Sequence, residues 1–83
     1  MKVSVRYFAS IREALGTGSE TFETGASTLA ALRDELITRD GAYAQVLARG
    51  RAVRAALNHT LSEETALLTE NCEVAFFPPV TGG

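Results

Sequence analysis

The sequence contains little cysteine, no tryptophan and no long apolar run. Its single cysteine, Cys72, excludes a disulfide within the chain and is typical of a protein in a reducing cytoplasm. No apolar run approaches the roughly 20 residues that a membrane-spanning helix needs. The first residues, MKVSVRYF, alternate between apolar and polar, unlike the apolar block of a signal peptide. We therefore expect a cytoplasmic location and no membrane partner.

Basic residues and metal ligands are also scarce. The 83 residues include 8 Lys and Arg against 10 Asp and Glu, which gives a net charge of −2. The basic residues are spread along the chain, whereas nucleic-acid-binding proteins concentrate them in a patch or stripe. His59 is the only histidine, and protein metal sites usually draw on several His and Cys residues. The sequence predicts no nucleic-acid partner, no metal and no bound cofactor.

Alternation of apolar and polar residues predicts several strands. KVSVRYF places Val3, Val5 and Tyr7 on one face, a period of two that is typical of a half-buried strand. SETFET follows GTG and predicts a weaker second strand, joined to the first in an early hairpin. AVRAALN predicts a third strand, the turn-rich segment after it a short fourth, and EVAFF the last.

One segment, GASTLAALRDELITRDG, predicts the main helix. Leucines recur there at helical spacing, and Ser27 or Thr28 can cap the N-terminus. Gly41 is suited to the C-terminal end, and YAQVLARG predicts a short second helix. The order of elements indicates an α+β fold in which a mixed sheet of four to five strands wraps one main helix. We assign residues 1–77 to this domain and residues 78–83 to an extended, flexible C-terminal tail.

The last predicted strand has two faces with different surroundings. If Phe76 faces the helix, Phe77 must point out of the opposite face. Phe8 likewise falls opposite Val3, Val5 and Tyr7. Two phenylalanines exposed on neighbouring strands would form an apolar patch of the kind that binds another protein. The alternative is a second small core beneath a loop.

The chain ends in FFPPVTGG. Pro78 and Pro79 cannot donate backbone hydrogen bonds, so they end the strand and direct the following residues away from the sheet. Gly82 and Gly83 have no side chains, so this end could enter a narrow channel with an unhindered carboxylate. Converting that carboxylate into an acyl-adenylate would supply a leaving group for a sulfur or amine nucleophile.

Activation of the carboxylate would require another protein. The chain has no GxxxxGK[ST] loop to hold a nucleotide. Cys72 lies far from the end in sequence with no evident base beside it, and Glu63 and Glu64 look like solvated turn residues. These patterns favour a substrate-like arm over an independent enzyme.

The complete ending EVAFFPPVTGG resembles the small subunits of molybdopterin synthase, a family of ubiquitin-like sulfur carriers. The resemblance extends through YFASIREALG and AALNHTL, and the length agrees. It implies a ubiquitin-like β-grasp fold. It also implies that a partner adenylyltransferase, related to ubiquitin-activating enzymes, uses ATP to adenylylate Gly83, which is then converted to a thiocarboxylate. The thiocarboxylate gives its sulfur to a cyclic pyranopterin precursor in an active site on the large subunit, within a heterotetrameric synthase.

The resemblance assigns roles to particular residues. Gly82 and Gly83 form the functional tail, and Gly83 bears the sulfur. Phe8, Leu61 and Phe77 match an apolar surface that binds the large subunit and the activating enzyme. We add the tail residues before the glycines to this partner-binding set, namely Pro78, Pro79, Val80 and Thr81.

Two further positions follow from the same resemblance. Arg12 is a candidate to pair with an acidic group of the activating enzyme, and a salt bridge on the helix surface is the alternative. The family commonly has an Asp-Gly-Asp turn before the last strand, where this chain reads TENCEVAF. Asn71 is expected to take the left-handed conformation that glycine adopts there.

Two other functions remain open. One is sulfur delivery to the thiamin thiazole or to tRNA, by carriers that share the Gly-Gly end but usually lack the full FFPPVTGG sequence. The other is a protein modifier joined to lysines. Since Lys2 is the only lysine in the chain, such a modifier could not build the varied chains that ubiquitin forms.

Overall fold

The computed structural model describes residues 1–39, 41–48 and 50–79. Within these ranges, five strands form one sheet: β1 (Lys2–Tyr7), β2 (Ser19–Glu23), β3 (Arg54–Leu57), β4 (Thr60–Ser62) and β5 (Cys72–Phe77). Three helices accompany them: α1 (Ala9–Leu15), α2 (Leu29–Ile37) and α3 (Ala42–Val46). The strand order is β2-β1-β5-β3-β4. β1 and β5 run parallel and the other neighbours run antiparallel, which confirms the predicted mixed sheet.

The core lies between one face of the sheet and α2. The alternating residues of β1 that the sequence predicted to face inward are all buried, as are Val74 and Phe76 of β5. They belong to one apolar cluster with the leucines of α2, which are Leu29, Leu32 and Leu36. The period of two in the strands and the helical spacing in α2 therefore describe two surfaces that bury each other.

The main helix begins as predicted but ends earlier. The Thr28 hydroxyl accepts a hydrogen bond of 3.1 Å from the backbone N–H of Ala31, so Thr28 is the N-terminal cap. α2 ends at Ile37, where the Thr38 hydroxyl donates to the Glu35 carbonyl over 2.6 Å and tightens the last turn. The prediction that Gly41 ends this helix was wrong. Gly41, with φ of 70°, instead precedes the first residue of α3.

The connection between β1 and β2 contains a helix that the sequence interpretation missed. The two strands pair antiparallel as predicted, but they are joined through α1 and not by a tight glycine-rich turn. Ile11 of α1 is buried in the core. Gly16, with φ of 74°, ends the helix and donates its N–H to the Arg12 carbonyl. The signals were present in IREALG: apolar residues four apart, followed by a glycine.

Two turns adopt left-handed backbone conformations. Asn58 and His59, with φ of 49° and 70°, form the two-residue connection between β3 and β4. Positive φ at both positions is typical of the mirror-image turn that suits the twist of a hairpin. Asn71, with φ of 63°, confirms the left-handed turn expected before the last strand.

A buried arginine ties α2 to the segment that leads into β3. Arg33 is only 5% exposed. Its guanidinium donates to the carbonyls of Leu47 and Ala48 over 2.7 Å each, and to that of Arg51 over 3.2 Å. It also donates to the Glu64 carboxylate over 2.9 Å. Glu64 therefore lies in a turn with a side chain that is 43% exposed, as predicted, but it also pairs with the buried arginine, which the sequence interpretation missed.

Candidate functional site

The two faces of β5 differ as the alternation predicted. Val74 and Phe76 are buried under α2, whereas Ala75 and Phe77 are half-buried on the outer face of the sheet. β5 lies in the centre of the sheet, with β1 on one side and β3 on the other. Its outward residues are therefore surrounded by side chains from neighbouring strands.

The strand register shows which residues surround them. Phe77 lies directly opposite Arg54 on β3, and Ala75 lies opposite Ala56. Ala56 in turn lies opposite Leu61 on β4. Because directly opposed residues of neighbouring strands project from the same face, these side chains form one continuous surface. We call the apolar part of it the docking face; it consists of Ala56, Leu61, Ala75 and Phe77, together with Phe8, whose backbone N–H bonds to Phe76 of β5 directly after β1 ends.

The three apolar residues assigned to partner binding all lie on the docking face. Phe8 is 44% exposed and follows β1, where its N–H donates to the Phe76 carbonyl over 3.2 Å. Leu61 is 62% exposed. Periodicity alone did not indicate Leu61; pairing of the third and fourth strands across their tight turn would have placed it beside Ala56.

A strained residue follows Phe8. Ala9 has φ of 52°, a left-handed conformation that costs a residue with a side chain about 1 kcal/mol or more. At this position the chain leaves β1 and enters α1, with Phe8 as the residue before the helix. The turn at Ala9 therefore ends the extended segment directly after Phe8 and starts α1, and no feature of the sequence indicated it.

Charged residues lie beside the docking face. Arg6 forms an ion pair of 3.6 Å with Glu73, which also lies 3.3 Å from His59. Arg12 packs closely on Gly18, where an added Cβ would lie 3.0 Å from the arginine Nε. Within the described ranges Arg12 shows no ion pair, so the alternative of a salt bridge on the helix surface is not found among these residues.

The chain leaves the sheet directly after Phe77. Pro78 and Pro79 follow as half-buried residues outside any strand. Pro78 borders a groove of about 510 Å³ between α1 and α3, whose polar lining residues are Ser10, Gln45 and Arg51. Among the residues that the structure describes, no acidic residue, histidine or cysteine lines this groove. The other predicted tail residues, Val80, Thr81, Gly82 and Gly83, lie outside the described residues.

A partly buried polar cluster was not predicted. The Glu20 carboxylate accepts hydrogen bonds from the hydroxyls of Tyr7 (2.7 Å) and Tyr43 (2.6 Å) and from Arg39 (2.9 Å). Burial raises the pKa of Glu20, but the hydrogen bonds from Tyr43, Tyr7 and Arg39 outweigh it and leave the pKa below the usual value. Burial, together with the bond to Glu20, raises the pKa of Tyr7. Since the members of the cluster bond one another, it joins β1, β2 and the α3 region as a structural link.

Two properties of the described residues bear on other functions. They contain no group of three or more His, Cys, Asp and Glu side chains that could hold a metal ion. None of their helices has the length and apolar character needed to cross a bilayer. Cys72 is buried as a free thiol at the start of β5.

The mixed five-stranded sheet packed on one main helix defines a ubiquitin-like β-grasp fold. SAMP1 from Haloferax volcanii shares it with a TM-score of 0.77 over 100% of both chains; at 22% identity this similarity shows the fold alone. The ThiS family model matches residues 5–83. The molybdopterin synthase sulfur carrier subunit of Escherichia coli (strain K12) is 40% identical over 81 residues, covering 98% of this chain and 99% of the relative.

The chain therefore belongs to the ThiS family of ubiquitin-like sulfur carriers, and within it to the sulfur carrier subunits of molybdopterin synthase. A solved complex of subunits 1 and 2 of molybdopterin-converting factor from Helicobacter pylori contains a similar chain. That chain is 26% identical with a TM-score of 0.69, and the match covers 100% of each chain.

Proposed function

We propose that Gly83 carries sulfur as a thiocarboxylate and gives it to a cyclic pyranopterin precursor, forming the dithiolene of molybdopterin. A ubiquitin-activating-like adenylyltransferase uses ATP to form the acyl-adenylate at Gly83. A sulfur donor then displaces AMP from the acyl carbon, and the loaded end enters an active site on the large synthase subunit. Membership of the sulfur carrier subunits is the observation that carries this proposal.

The geometry of β5 supports it. The strand is held on both sides, by β1 and by β3, up to Phe77. Pro78 and Pro79 come next, and neither can continue a hydrogen-bonded strand. The chain therefore leaves the centre of the sheet at Pro78 and Pro79, beside an exposed apolar surface. Phe8, Leu61 and Phe77 are the residues through which the large subunit and the activating enzyme bind in turn, in a cytoplasmic heterotetrameric synthase.

The proposal is tested by intact-mass measurement of the chain after incubation with the activating enzyme, ATP and a sulfur donor. The expected result is an increase of about 16 Da, because one carboxylate oxygen is replaced by sulfur. A chain without Gly83 is the matched control. Its acyl carbon recedes by one residue, up to about 3.5 Å, so it should fold normally but form no dithiolene with the large subunit. Failure of the intact chain to gain the sulfur mass, or dithiolene synthesis by the shortened chain, would refute the proposal.

The alternative functions are outcomes of a second measurement. Complexes captured through this chain from cells are identified by mass spectrometry. Recovery of a pterin-binding large subunit supports the proposal. Recovery of a thiazole synthase would instead indicate thiamin biosynthesis, and Gly83 linked by an amide bond to many cellular lysines would indicate a protein modifier.

A further inference from the structure

An exposed arginine lies beside the centre of the docking face. Arg54 is directly opposite Phe77 in the antiparallel pair of β3 and β5, which places the two Cα atoms about 5 Å apart with their side chains on the same face. Arg54 is exposed, and among residues 1–39, 41–48 and 50–79 it has no ion-pair partner. Its guanidinium is therefore available to another molecule.

Any protein that covers Phe77 must also cover Arg54. An interface of ordinary size buries about 800 Å² on each partner, equivalent to a disc of roughly 16 Å radius. Arg54 lies well inside such a disc centred on Phe77. Removing a guanidinium from water is unfavourable unless hydrogen-bond acceptors replace the lost hydration, and an anionic group does so most strongly. A partner that binds this face without an acidic group at that point would have a lower affinity.

Among the acidic residues that the structure describes, none forms an ion pair with Arg54, and Glu64, which lines the same groove as Arg54, pairs with Arg33. Glu73, on the same face, is held by Arg6 at 3.6 Å and by His59 at 3.3 Å. Glu63 lines the same groove as Arg54, yet the two form no ion pair within 4.0 Å. Arg6 is itself 55% exposed and lies opposite Ala75, on the other side of β5 from Arg54. Cationic side chains thus flank the apolar centre on both sides.

We propose that Arg54 selects the partner of the docking face by its charge: the protein that covers Phe77 presents a carboxylate to Arg54. Under the function proposed above, on which this inference rests, that protein is the large synthase subunit. The surface of the partner that recognises the docking face then has an apolar centre with an acidic group beside it. An apolar surface with a basic border would bind poorly, since two like charges would be brought together as Phe77 is covered.

The test measures association and dissociation rates between the full-length carrier and the purified large subunit. The variants are Arg54→Glu, Arg54→Lys and Lys2→Glu. Lys2 is the matched control, because it is an exposed cation on the same outer face of the sheet but outside the docking face. It lies about 13 Å along β1 from Arg6, the basic residue of that strand that borders the docking face (four residues at about 3.3 Å). Arg54→Glu and Lys2→Glu both change the net charge from −2 to −4, since each replaces +1 by −1.

We expect Arg54→Glu to associate with the large subunit about tenfold more slowly than Lys2→Glu at low salt. The difference between the two association rates should become smaller as salt is added. Arg54→Lys should keep most of the wild-type rate, because it keeps the charge. Equal rates for Arg54→Glu and Lys2→Glu, with normal binding by the wild-type carrier, would overturn this inference alone. A wild-type carrier that does not bind the large subunit would overturn the proposed function together with the inference.

Discussion

Replacing Arg33 by methionine should remove a large part of the stability of this domain. Methionine retains most of the buried apolar stem but offers no donor to Leu47, Ala48, Arg51 or Glu64. A buried acceptor left without its partner costs about 1–3 kcal/mol. The Leu47 carbonyl, in a fully buried residue, should bear this cost in full, whereas the acceptors nearer the surface can recover water. We therefore expect a loss of about 3–4 kcal/mol, within the range for breaking a buried ion pair.

That loss is comparable with the whole stability of a small domain, which for 83 residues is roughly 4–12 kcal/mol. It is measured by urea unfolding, and hydrogen exchange should show lost protection around α3 and the start of β3. Glu64→Gln is the control. This variant removes only the negative charge that pairs with Arg33. Because the Glu64 side chain is 43% exposed, the loss should lower the free energy of unfolding by about 1 kcal/mol or less. A loss below 1 kcal/mol for Arg33→Met, or equal losses in the two variants, would refute the idea that the carbonyl bonds hold this segment.

Three further predictions concern the docking face, a turn and the polar cluster. Phe77→Ala should weaken binding of the large subunit at least tenfold with a small change in Tm. Phe76→Ala, in the core, is the control and should instead lower the free energy of unfolding by about 3–5 kcal/mol. A large loss of stability for Phe77→Ala with unchanged binding would show that Phe77 is the core residue. His59→Gly should raise the urea midpoint by the equivalent of about 1 kcal/mol, because glycine adopts the positive φ there without strain; a lower midpoint would contradict this. The lowered pKa of Glu20 means that its contribution is complete above the unfolded value of 4.5 and is lost as the pH falls through the lower folded value. Glu20→Gln should therefore be less stable than the wild type at pH 7, and the difference should shrink at pH 3; a difference that is the same at both pH values would contradict the assigned pKa.

The parts of the fold that the sequence predicted are those with a strong apolar period. Val3, Val5 and Tyr7 alternate in β1, and only one face of a half-buried strand can hold them. The burial of Arg33 is a feature that an apolar period does not predict. An arginine in a helix is expected on the wet side, and its burial depends on acceptors 14 to 31 residues away in sequence. No local pattern reports partners at that distance, so the role of Glu64 was missed with it.

The docking face also contains residues that the sequence pattern predicts and residues that it does not. Alternation within β1 and β5 was sufficient to predict that Phe8 and Phe77 point away from the core. The local hairpin of β3 and β4 places Leu61 beside Ala56. Placing this pair and Arg54 beside Phe77 requires the pairing of β3 with β5, which joins residues about 20 positions apart in the sequence. The roles assigned to Gly82 and Gly83 remain predictions for the mass measurement to test.

The position of β5 in the sheet fixes the course of the chain up to Phe77. An edge strand is held on one side only, whereas β5 pairs in parallel with β1 and antiparallel with β3. A shift of one residue in its register would exchange Phe76 with Phe77 and place the wrong phenylalanine in the core. Two pairings and one buried face therefore fix both the direction of the chain at Phe77 and the side chain beside Arg54. The same register thus determines where the chain leaves the sheet at Pro78 and which side chains lie beside that point.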